Sequence, residues 1–384
     1  MNYRAAEDIL ERVRELGSTI SSRAGEIEAG YRLPIDIVEA MKSAGIFKMF
    51  VPHSFGGLEL DLPTIIEVVR QLSRIDASVG WTAMIGAGSA LFATMLPREA
   101  FERVYRDNPG AIIAGSTQLL GTIEKRGDTW HANGQWPFAS GCLQADWMLG
   151  FCKLVTGNEN ASAIPQIRVV LLPASRWSIK ETWRVPGLKG TGSHDIALDR
   201  PVSPGTDFFD LASQQRWASG PLYGAAPQMI ALLHGAVSLG IAEGALNDLL
   251  AIAATGRRQE RAAAPMRDTE SFQTDLGRVH ADIRAARSLL LEQTRSHWRH
   301  ALAGTLGTDA LLVEGSQTAI WVVGTCLRAV DTCFALGGSA ALYEPSPLQR
   351  RMRDIRVAAQ HNLMQPRHYL KAGKLLVNEA TTPF

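Results

Sequence analysis

The spacing of apolar side chains changes twice along the chain and divides it into a helical part, a β part and a second helical part. In the first part apolar residues recur every three or four positions, as Ile9, Val13 and Leu16 do, which is the period of an amphipathic helix. The same spacing predicts helices over residues 35–43 and 62–75. We therefore expect the first part of the chain to be α-helical.

In the middle of the chain the apolar period shortens to two, which is typical of half-buried strands. The predicted strands cover residues 111–118, 129–132, 147–154, 168–172 and 194–198. Asn133-Gly134 is typical of a two-residue hairpin loop. Several short strands at close spacing favour a barrel or a sandwich over a sheet with helical crossovers.

The helical period returns near residue 221 and continues over four long segments. Apolar positions keep helical spacing over residues 230–241, and few charges interrupt the surrounding sequence, which indicates a helix buried on most of its surface. Four long helices at the end of a chain predict a bundle. We therefore expect a helical domain (residues 1–110), a β-barrel domain (residues 111–212) and a four-helix bundle (residues 213–384).

Composition and charge narrow the range of functions. The 384 residues include 39 Lys and Arg against 38 Asp and Glu, so a strongly basic surface for nucleic acid is not expected. No run approaches the roughly 20 apolar residues of a membrane span, and the charged N-terminus lacks the apolar core of a secretory signal. We therefore expect a cytoplasmic protein without a membrane partner. The arginine-rich stretch at residues 350–356 predicts a solvated helix face.

Short motifs of known chemistry are absent or incomplete. The Gly-Thr-Gly run at residues 190–192 lacks the third glycine of a dinucleotide-binding turn and leads into a predicted strand, so it cannot place a pyrophosphate at a helix N-terminus. The sequence contains no Walker A loop, no HExxH and no GxSxG elbow. The four cysteines are too few and too scattered for a disulfide framework or a metal knuckle. The order of longer segments must therefore carry the functional interpretation.

Five segments, taken in order, resemble the acyl-CoA dehydrogenase superfamily. They are VPHSFGGLELDL (51–62), IDASVGW (75–81), GDTWHANGQWPFASGCLQADW (127–147), WRVPGLKGTGSHDIAL (183–198) and LGGSAALYEPSPLQRRMRDIRVAAQH (336–361). The resemblance implies a mainly α fold with a central β domain: an N-terminal helical domain, a middle β-barrel and a C-terminal four-helix bundle. It also implies a homotetramer, or at least a dimer.

One departure from the dehydrogenase pattern concerns the catalytic base. In the commonest dehydrogenases the base is a Glu eight residues after a Met-Arg-Asp motif. Here the motif lies at residues 352–354, but the position eight residues on is Asn362, with His361 beside it. An amide cannot act as a general base at neutral pH. An acyl-CoA dehydrogenase with FAD and a relocated carboxylate, such as Glu243 or Glu260, is the alternative interpretation.

Three segments resemble more closely the two-component flavin-dependent monooxygenases of the same fold: residues 138–141, 187–195 and 350–361. This branch includes aromatic hydroxylases, sulfoxidising enzymes and amino-sugar N-oxygenases. The resemblance implies that a separate flavin reductase supplies reduced flavin, either FMN or FAD. Its reaction with O2 gives a C4a-peroxy or hydroperoxy adduct, which oxygenates a small aromatic or amine-bearing substrate. We favour this interpretation; a helical scaffold that has lost its cofactor is a third hypothesis.

The resemblance also assigns roles to single residues. Ser140 lies at the flavin N5 edge, where its hydroxyl can donate or accept. His361 is the candidate acid–base residue and contacts the substrate, because an imidazole with a pKa near 6.5 exchanges protons at neutral pH. Phe138, beside the flavin, and Trp136, beside the substrate, form an apolar wall. Trp81 lines the substrate side.

Two further groups are expected to hold the flavin. Ser116, Thr117 and Gln118 end the first predicted strand and look like the strand that meets the flavin pyrimidine. Gly337 and Gly338 resemble the turn that approaches the flavin phosphate or adenine from a neighbouring subunit, because glycine permits close approach of the backbone.

Overall fold

The first part of the chain is helical, as its apolar spacing predicts. The computed structural model describes residues 3–156, 165–210, 217–224, 226–258 and 263–381. The helices of the first part are α1 (Tyr3–Ser22), α2 (Ala24–Gly30), α3 (Ile35–Ser43), α4 (Leu62–Ile75), α5 (Ala77–Ala93) and α6 (Arg98–Tyr105). Most of their apolar side chains join one core that continues into the C-terminal helices.

Helix α5 is the central helix of this part. It begins at Asp76, whose carboxylate accepts hydrogen bonds from the backbone N–H groups of Ser78 and Val79. Its side chains are small or apolar on every face, and most of them are buried. A helix that is apolar all round has no solvent face, so α5 lies within the protein and holds Trp81 there.

The middle part forms one mixed seven-stranded sheet. Its strands are β1 (Ile113–Arg126), β2 (Thr129–Trp136), β3 (Trp147–Val155), β4 (Ile167–Pro173), β5 (Ser178–Lys180), β6 (Asp195–Val202) and β7 (Phe208–Asp210). They lie in the order β5-β6-β2-β1-β3-β4-β7, and β1 and β3 are parallel while the other pairs are antiparallel. In the described part of the chain the edge strands β5 and β7 do not pair with each other.

The predicted hairpin loop at Asn133-Gly134 is wrong. Both residues lie within β2, where Asn133 pairs with Thr122 of β1, and the chain turns instead at Gly127, whose φ is +61°. Gly134 has a different purpose, because a Cβ at this position would lie 2.7 Å from the Trp136 ring. The glycine makes room for a large side chain rather than for a turn.

Trp136 is a core residue of the sheet. Its side chain is fully buried, and its indole N–H donates to the Phe151 carbonyl at 2.9 Å. A Cβ on Gly121, Gly134 or Gly150 would collide with the indole, so three strands supply a glycine against one ring. This placement corrects the expectation that Trp136 forms part of a substrate wall, since a fully enclosed ring has no face left for a ligand.

The last part of the chain is a helical bundle. Its helices are α7 (Ala226–Ala254), α8 (Glu270–Leu302), α9 (Asp309–Gly337), α10 (Pro347–Ala358) and α11 (Tyr369–Thr381). Helix α7 packs against α9, α8 and α10 and also against α4 of the first part. The predicted fold class, helical at both ends with a central β region, is confirmed.

Two segments of the bundle, residues 228–254 and 309–341, are long and apolar enough to cross a membrane by length and composition alone. Most of the first segment is buried against its neighbouring helices, as is typical of the core helix of a bundle.

The arginines of α10 form only part of the solvated face that the sequence predicts, because Arg356 is exposed whereas Arg351 and Arg353 are not. Arg351 is buried, pairs with Asp248 at 3.0 Å and donates to the carbonyls of Ser73 and Ile75, both at 3.3 Å. Arg353 pairs with Glu28 of α2. Helix α10 is therefore fastened by charge-assisted hydrogen bonds to the segment that precedes α5.

We predict that Trp136→Ala lowers the free energy of unfolding by about 3–5 kcal/mol, because it empties a large enclosed volume. Phe138→Ala, only two residues away, is the matched control, since the Phe138 side chain is 59% exposed and should cost little. Urea unfolding followed by far-ultraviolet circular dichroism measures both. Equal effects of the two substitutions would contradict the core assignment of Trp136.

Candidate active site

A chain of hydrogen bonds joins side chains from α5 to two segments of the β region. The Trp81 indole N–H donates to the Ser140 hydroxyl at 3.0 Å. The Ser140 hydroxyl lies 2.8 Å from that of Ser193, which lies 2.7 Å from the Thr191 hydroxyl. All four side chains are buried. Trp81, predicted to line the substrate side, and Ser140, predicted to lie at the flavin N5 edge, are thus in direct contact.

Three aromatic rings, one of which is Trp81, form a cluster. The rings of His234 and His361 are stacked, with centroids 4.1 Å apart and an interplanar angle of 27°. Trp81 contacts both, at centroid distances of 5.2 Å to His234 and 5.8 Å to His361. Helices α5 and α7 and the turn after α10 each supply one ring. The structure therefore brings together Trp81, Ser140 and His361, which lie far apart in the sequence.

Both imidazoles of this cluster are neutral at pH 7. Burial lowers the pKa of His361 to about 4. Burial, with a smaller contribution from His361, lowers the pKa of His234 well below its ordinary value. The His361 ring is oriented by a long hydrogen bond of 3.4 Å, in which Nδ1 accepts from the Leu363 backbone N–H. His361 is thus a neutral base held in an apolar setting.

The turn that carries Ser140 has an unusual backbone. Phe138 has φ of +65°, in the left-handed region that few side chains other than glycine adopt, and Gly141 follows with φ of +74°. The turn is tied to the loop before β6, because Ala139 N–H donates to the His194 carbonyl and Gly141 N–H to the Thr191 carbonyl. Such strain persists where the surroundings impose it, which is common at functional sites. The exposed Phe138 ring borders this turn.

The loop that carries Thr191 and Ser193 is fixed by α10. Leu188, with φ of +50°, donates its backbone N–H to the Asp354 carboxylate at 2.7 Å. A Cβ on Gly187 would overlap the Arg353 carbonyl, so only glycine lets the loop lie so close to α10. Burial, with the nearby charge of Asp76, raises the pKa of Asp354 to about 7.

The other predicted cofactor residues lie outside this cluster of contacts. Ser116 is buried, Thr117 and Gln118 are exposed, and the pairing of β1 with β3 shifts register between Ser116 and Leu119. Such irregularities re-aim side chains beside binding sites. The structure thus presents the Thr117 and Gln118 side chains at the sheet surface.

The two glycines at the end of α9 also lie apart from the cluster. Gly337 is buried against Leu348, and Gly338 has φ of +55°. The next residue, Ser339, accepts a hydrogen bond of 2.7 Å from the Arg257 guanidinium. A positive group therefore stands beside this turn.

Of the two carboxylates of the dehydrogenase alternative, the structure describes Glu243, whose oxygens are occupied by ion pairs. Glu243 is largely buried and pairs with Arg70, and Arg287 lies 3.7 Å from its second oxygen. Both carboxylate oxygens of Glu243 are therefore already engaged by guanidinium groups. Glu260 lies outside the described residues.

Comparison with known proteins identifies the family. Residues 4–102 match the acyl-CoA dehydrogenase N-terminal domain, and residues 232–366 match the acyl-CoA dehydrogenase C-terminal domain. The chain belongs to the acyl-CoA dehydrogenase superfamily. The resemblance drawn from the sequence is therefore confirmed.

Its relatives within the superfamily are named as oxygenases. Indole-3-acetate monooxygenase of Pseudomonas putida is 29% identical over 99% of this chain and 95% of its own length. The oxygenase component of FADH2-dependent resorcinol hydroxylase of Rhizobium sp. is 27% identical over 92% and 90%. The structure of XiaF from Streptomyces sp. in complex with FADH2 and glycerol matches with a TM-score of 0.90 at 26% identity, over 99% and 98% of the two chains. The protein is a flavin-dependent monooxygenase.

The sequence did not identify three residues of the site in this flavin-dependent monooxygenase: His234, Thr191 and Ser193. His234 is a lone titratable side chain within the apolar run of α7, which is a signal that the sequence does contain. Thr191 and Ser193 lie in the segment that carries the family resemblance, but nothing in the sequence places their hydroxyls beside Ser140.

We predict that Asp354→Asn changes the pH dependence of stability. The unfolded chain loses the Asp354 proton near pH 3.8, whereas the folded protein keeps it to about pH 7. The folded state therefore binds more protons in this window, and the contribution of Asp354 to stability falls as the pH rises from about 4 to about 7. Asparagine cannot ionise. Relative to the variant, the wild type should lose about 2–4 kcal/mol between pH 4 and pH 8.

Urea unfolding at a series of pH values measures this difference. Asp331→Asn, which removes a carboxylate that pairs with Arg356 at the surface, is the control for loss of a carboxylate outside the core. A curve for Asp354→Asn that runs parallel to that of the wild type would refute the raised pKa of Asp354.

Proposed function

We propose that this protein is the oxygenase component of a two-component system, which takes reduced flavin from a separate flavin reductase and oxygenates a small aromatic substrate that carries a hydroxyl or a ring N–H group. The observation that supports this most is the neutral His361, which is stacked on His234 and contacts Trp81. It lies beside Asn362, the position at which the commonest dehydrogenases carry their carboxylate. The names of the relatives, which include an indole-3-acetate monooxygenase and a resorcinol hydroxylase, support the same class of substrate.

The residues present suit a flavin. We place Ser140 at the N5 edge of the isoalloxazine, Phe138 against its ring and the exposed Thr117 and Gln118 at its pyrimidine. The exposed Phe138 ring offers an apolar face that a planar ring can cover. Reduced flavin, when bound, supplies the electrons that activate dioxygen for transfer of one oxygen atom to the substrate.

We propose that the turn at Gly337 and Gly338 binds the phosphate end of a flavin that is held by a neighbouring subunit. Arg257, which donates to Ser339 there, adds a positive charge that suits a phosphate. FADH2 is the flavin named for the resorcinol hydroxylase and for XiaF, so we favour reduced FAD over reduced FMN.

His361 is the acid–base residue in this proposal. Because its imidazole is neutral at pH 7, it can take up a proton from the hydroxyl or ring N–H of the substrate. Trp81 and His234 hold the imidazole between them by ring contacts, which limits the orientations it can adopt. The same rings exclude water from one side of the site.

A homotetramer in the cytoplasm completes the proposal. Large apolar side chains are exposed on α9 and on the turn that follows it, where Trp321 is 39% exposed, Leu342 66% and Tyr343 70%. Exposed apolar groups of this size favour contact with another copy of the chain. Light scattering after size-exclusion chromatography tests the assembly.

The decisive experiment supplies the purified protein with chemically reduced FAD, ¹⁸O2 and either resorcinol or indole-3-acetate. Incorporation of one labelled oxygen atom into a product supports a monooxygenase with an aromatic substrate. Peroxide alone across a panel of phenols and indoles would count against the substrate class. Anaerobic bleaching of bound FAD by an acyl-CoA would instead support the dehydrogenase alternative.

We predict that His361→Asn lowers product formation by about 10²–10⁴-fold while the affinity for reduced FAD changes little, as expected for loss of a general acid–base group. His368→Asn is the matched control, because His368 lies seven residues further on, is half-buried, and its side chain bonds only the Asn362 carbonyl among the described residues. Product yield and flavin affinity are measured for both variants. Equal activity of His361→Asn and the control would remove the proposed role.

We also predict the position of the acid limb of kcat/KM. Since the pKa of His361 lies at about 4 in the free protein, the imidazole stays neutral over the range in which an ordinary histidine becomes charged. kcat/KM should therefore change little between pH 8 and pH 5 and fall only towards pH 4. Steady-state rates across this range, with the fold checked by circular dichroism, measure it. A limb near pH 6.5 would contradict a buried, neutral His361.

A further inference from the structure

The hydroxyl groups beside Ser140 form a chain whose protons can point in only one direction. The chain ends at the Leu188 carbonyl, which lies 2.8 Å from the Thr191 hydroxyl. A carbonyl oxygen has no proton to give, so Thr191 must be the donor in this contact. If the Thr191 proton pointed elsewhere, two oxygen lone pairs would face each other at 2.8 Å inside the protein, which is unfavourable.

The direction of the Thr191 proton then determines the direction of the Ser193 and Ser140 protons. Because the single Thr191 proton is used on Leu188, Thr191 can only accept from Ser193, and the two hydroxyl oxygens are 2.7 Å apart. Ser193 has then used its own proton, so it can only accept from Ser140, at 2.8 Å. The Ser140 proton therefore points to Ser193, away from any ligand.

The opposite side of Ser140 is fixed by Trp81. An indole N–H can only donate, so the contact of 3.0 Å between Trp81 Nε1 and Ser140 Oγ uses one of the two lone pairs of the Ser140 oxygen. Ser140 is left with one lone pair and no free proton. It can accept one further hydrogen bond and cannot give one.

A Ser140 hydroxyl that can only accept a hydrogen bond interacts differently with the two redox states of a flavin. The reduced isoalloxazine carries a proton on N5, whereas the oxidised ring has a bare lone pair there. We propose that Thr191 and Ser193 are positioning residues that make Ser140 an acceptor only, so that the site selects reduced over oxidised flavin. The inference rests on the proposed placement of Ser140 at N5, and it adds the reason why that placement favours one redox state.

Four variants separate this role from ordinary support of the loop. Thr191→Val removes the hydroxyl that receives the Ser193 proton, so Ser193 can turn its proton to Ser140 and Ser140 can turn its own to N5. Ser193→Ala frees the Ser140 proton directly. Thr191→Ser keeps the hydroxyl and should behave as the wild type. Ser178→Ala, at an exposed position of β5, is the matched control.

The measurement is binding, not turnover. Anaerobic equilibrium dialysis gives the Kd for dithionite-reduced FAD and, separately, for oxidised FAD. We expect the wild type to bind the reduced form more tightly. Thr191→Val and Ser193→Ala should each lower the ratio of the Kd for oxidised FAD to the Kd for reduced FAD by about three- to tenfold, which corresponds to one hydrogen bond. The change should come mainly from tighter binding of oxidised FAD. Ser140→Ala should also lower the ratio, but mainly through weaker binding of reduced FAD.

The outcomes separate the two proposals. A wild-type preference for reduced FAD that stays unchanged in Thr191→Val and Ser193→Ala overturns the inference and leaves the proposed function intact. Equal weakening of both redox forms in these variants also overturns it, since that result indicates loop support alone. A wild type that binds neither form overturns the proposed function and the inference together.

Discussion

One buried contact positions most of the site: the hydrogen bond from the Leu188 backbone N–H to the Asp354 carboxylate. It fixes the loop before β6 against α10, with Leu188 held in a left-handed conformation that the loop would otherwise avoid. The Leu188 carbonyl then receives the Thr191 proton and sets the direction of every hydroxyl up to Ser140. The Asp354 carboxylate of α10 thus affects the orientation of the Ser140 hydroxyl through the backbone of Leu188.

The same helix leads to the other half of the site. Helix α10 ends at Ala358, and His361 follows in the next turn, stacked on His234 of α7. Helix α10 therefore positions both the loop with the hydroxyls and the turn with the imidazole. Its Arg351 and Arg353 connect it to the segment before α5 and to α2. A rigid element shared by two groups keeps their separation constant, as catalysis by positioned groups requires.

The sequence was sufficient for the fold and for part of the site. The change of apolar period from helical to two and back again predicted the order of the elements, and the resemblance pointed to Trp81, Ser140 and His361, which the structure brings into mutual reach. It failed at Trp136, because alternation along a strand does not tell a core face from a pocket face. It failed at Gly134 for a related reason: a glycine that makes room for an indole looks like a turn glycine.

The cluster formed by Trp81, the two imidazoles and the hydroxyl groups contains no charged side chain, and this bears on its chemistry. His234 and His361 are neutral, and the hydroxyl chain is satisfied by an indole N–H and a backbone carbonyl. A dehydrogenase base must be a carboxylate strong enough to remove a proton next to a thioester, whereas Glu243 is already paired with arginines. A neutral, dry cluster of rings and hydroxyls is instead suited to shielding a reactive oxygen donor from water while one imidazole handles the substrate proton. The absence of the dehydrogenase carboxylate and the presence of His361 therefore both follow from the change from dehydrogenation to oxygenation.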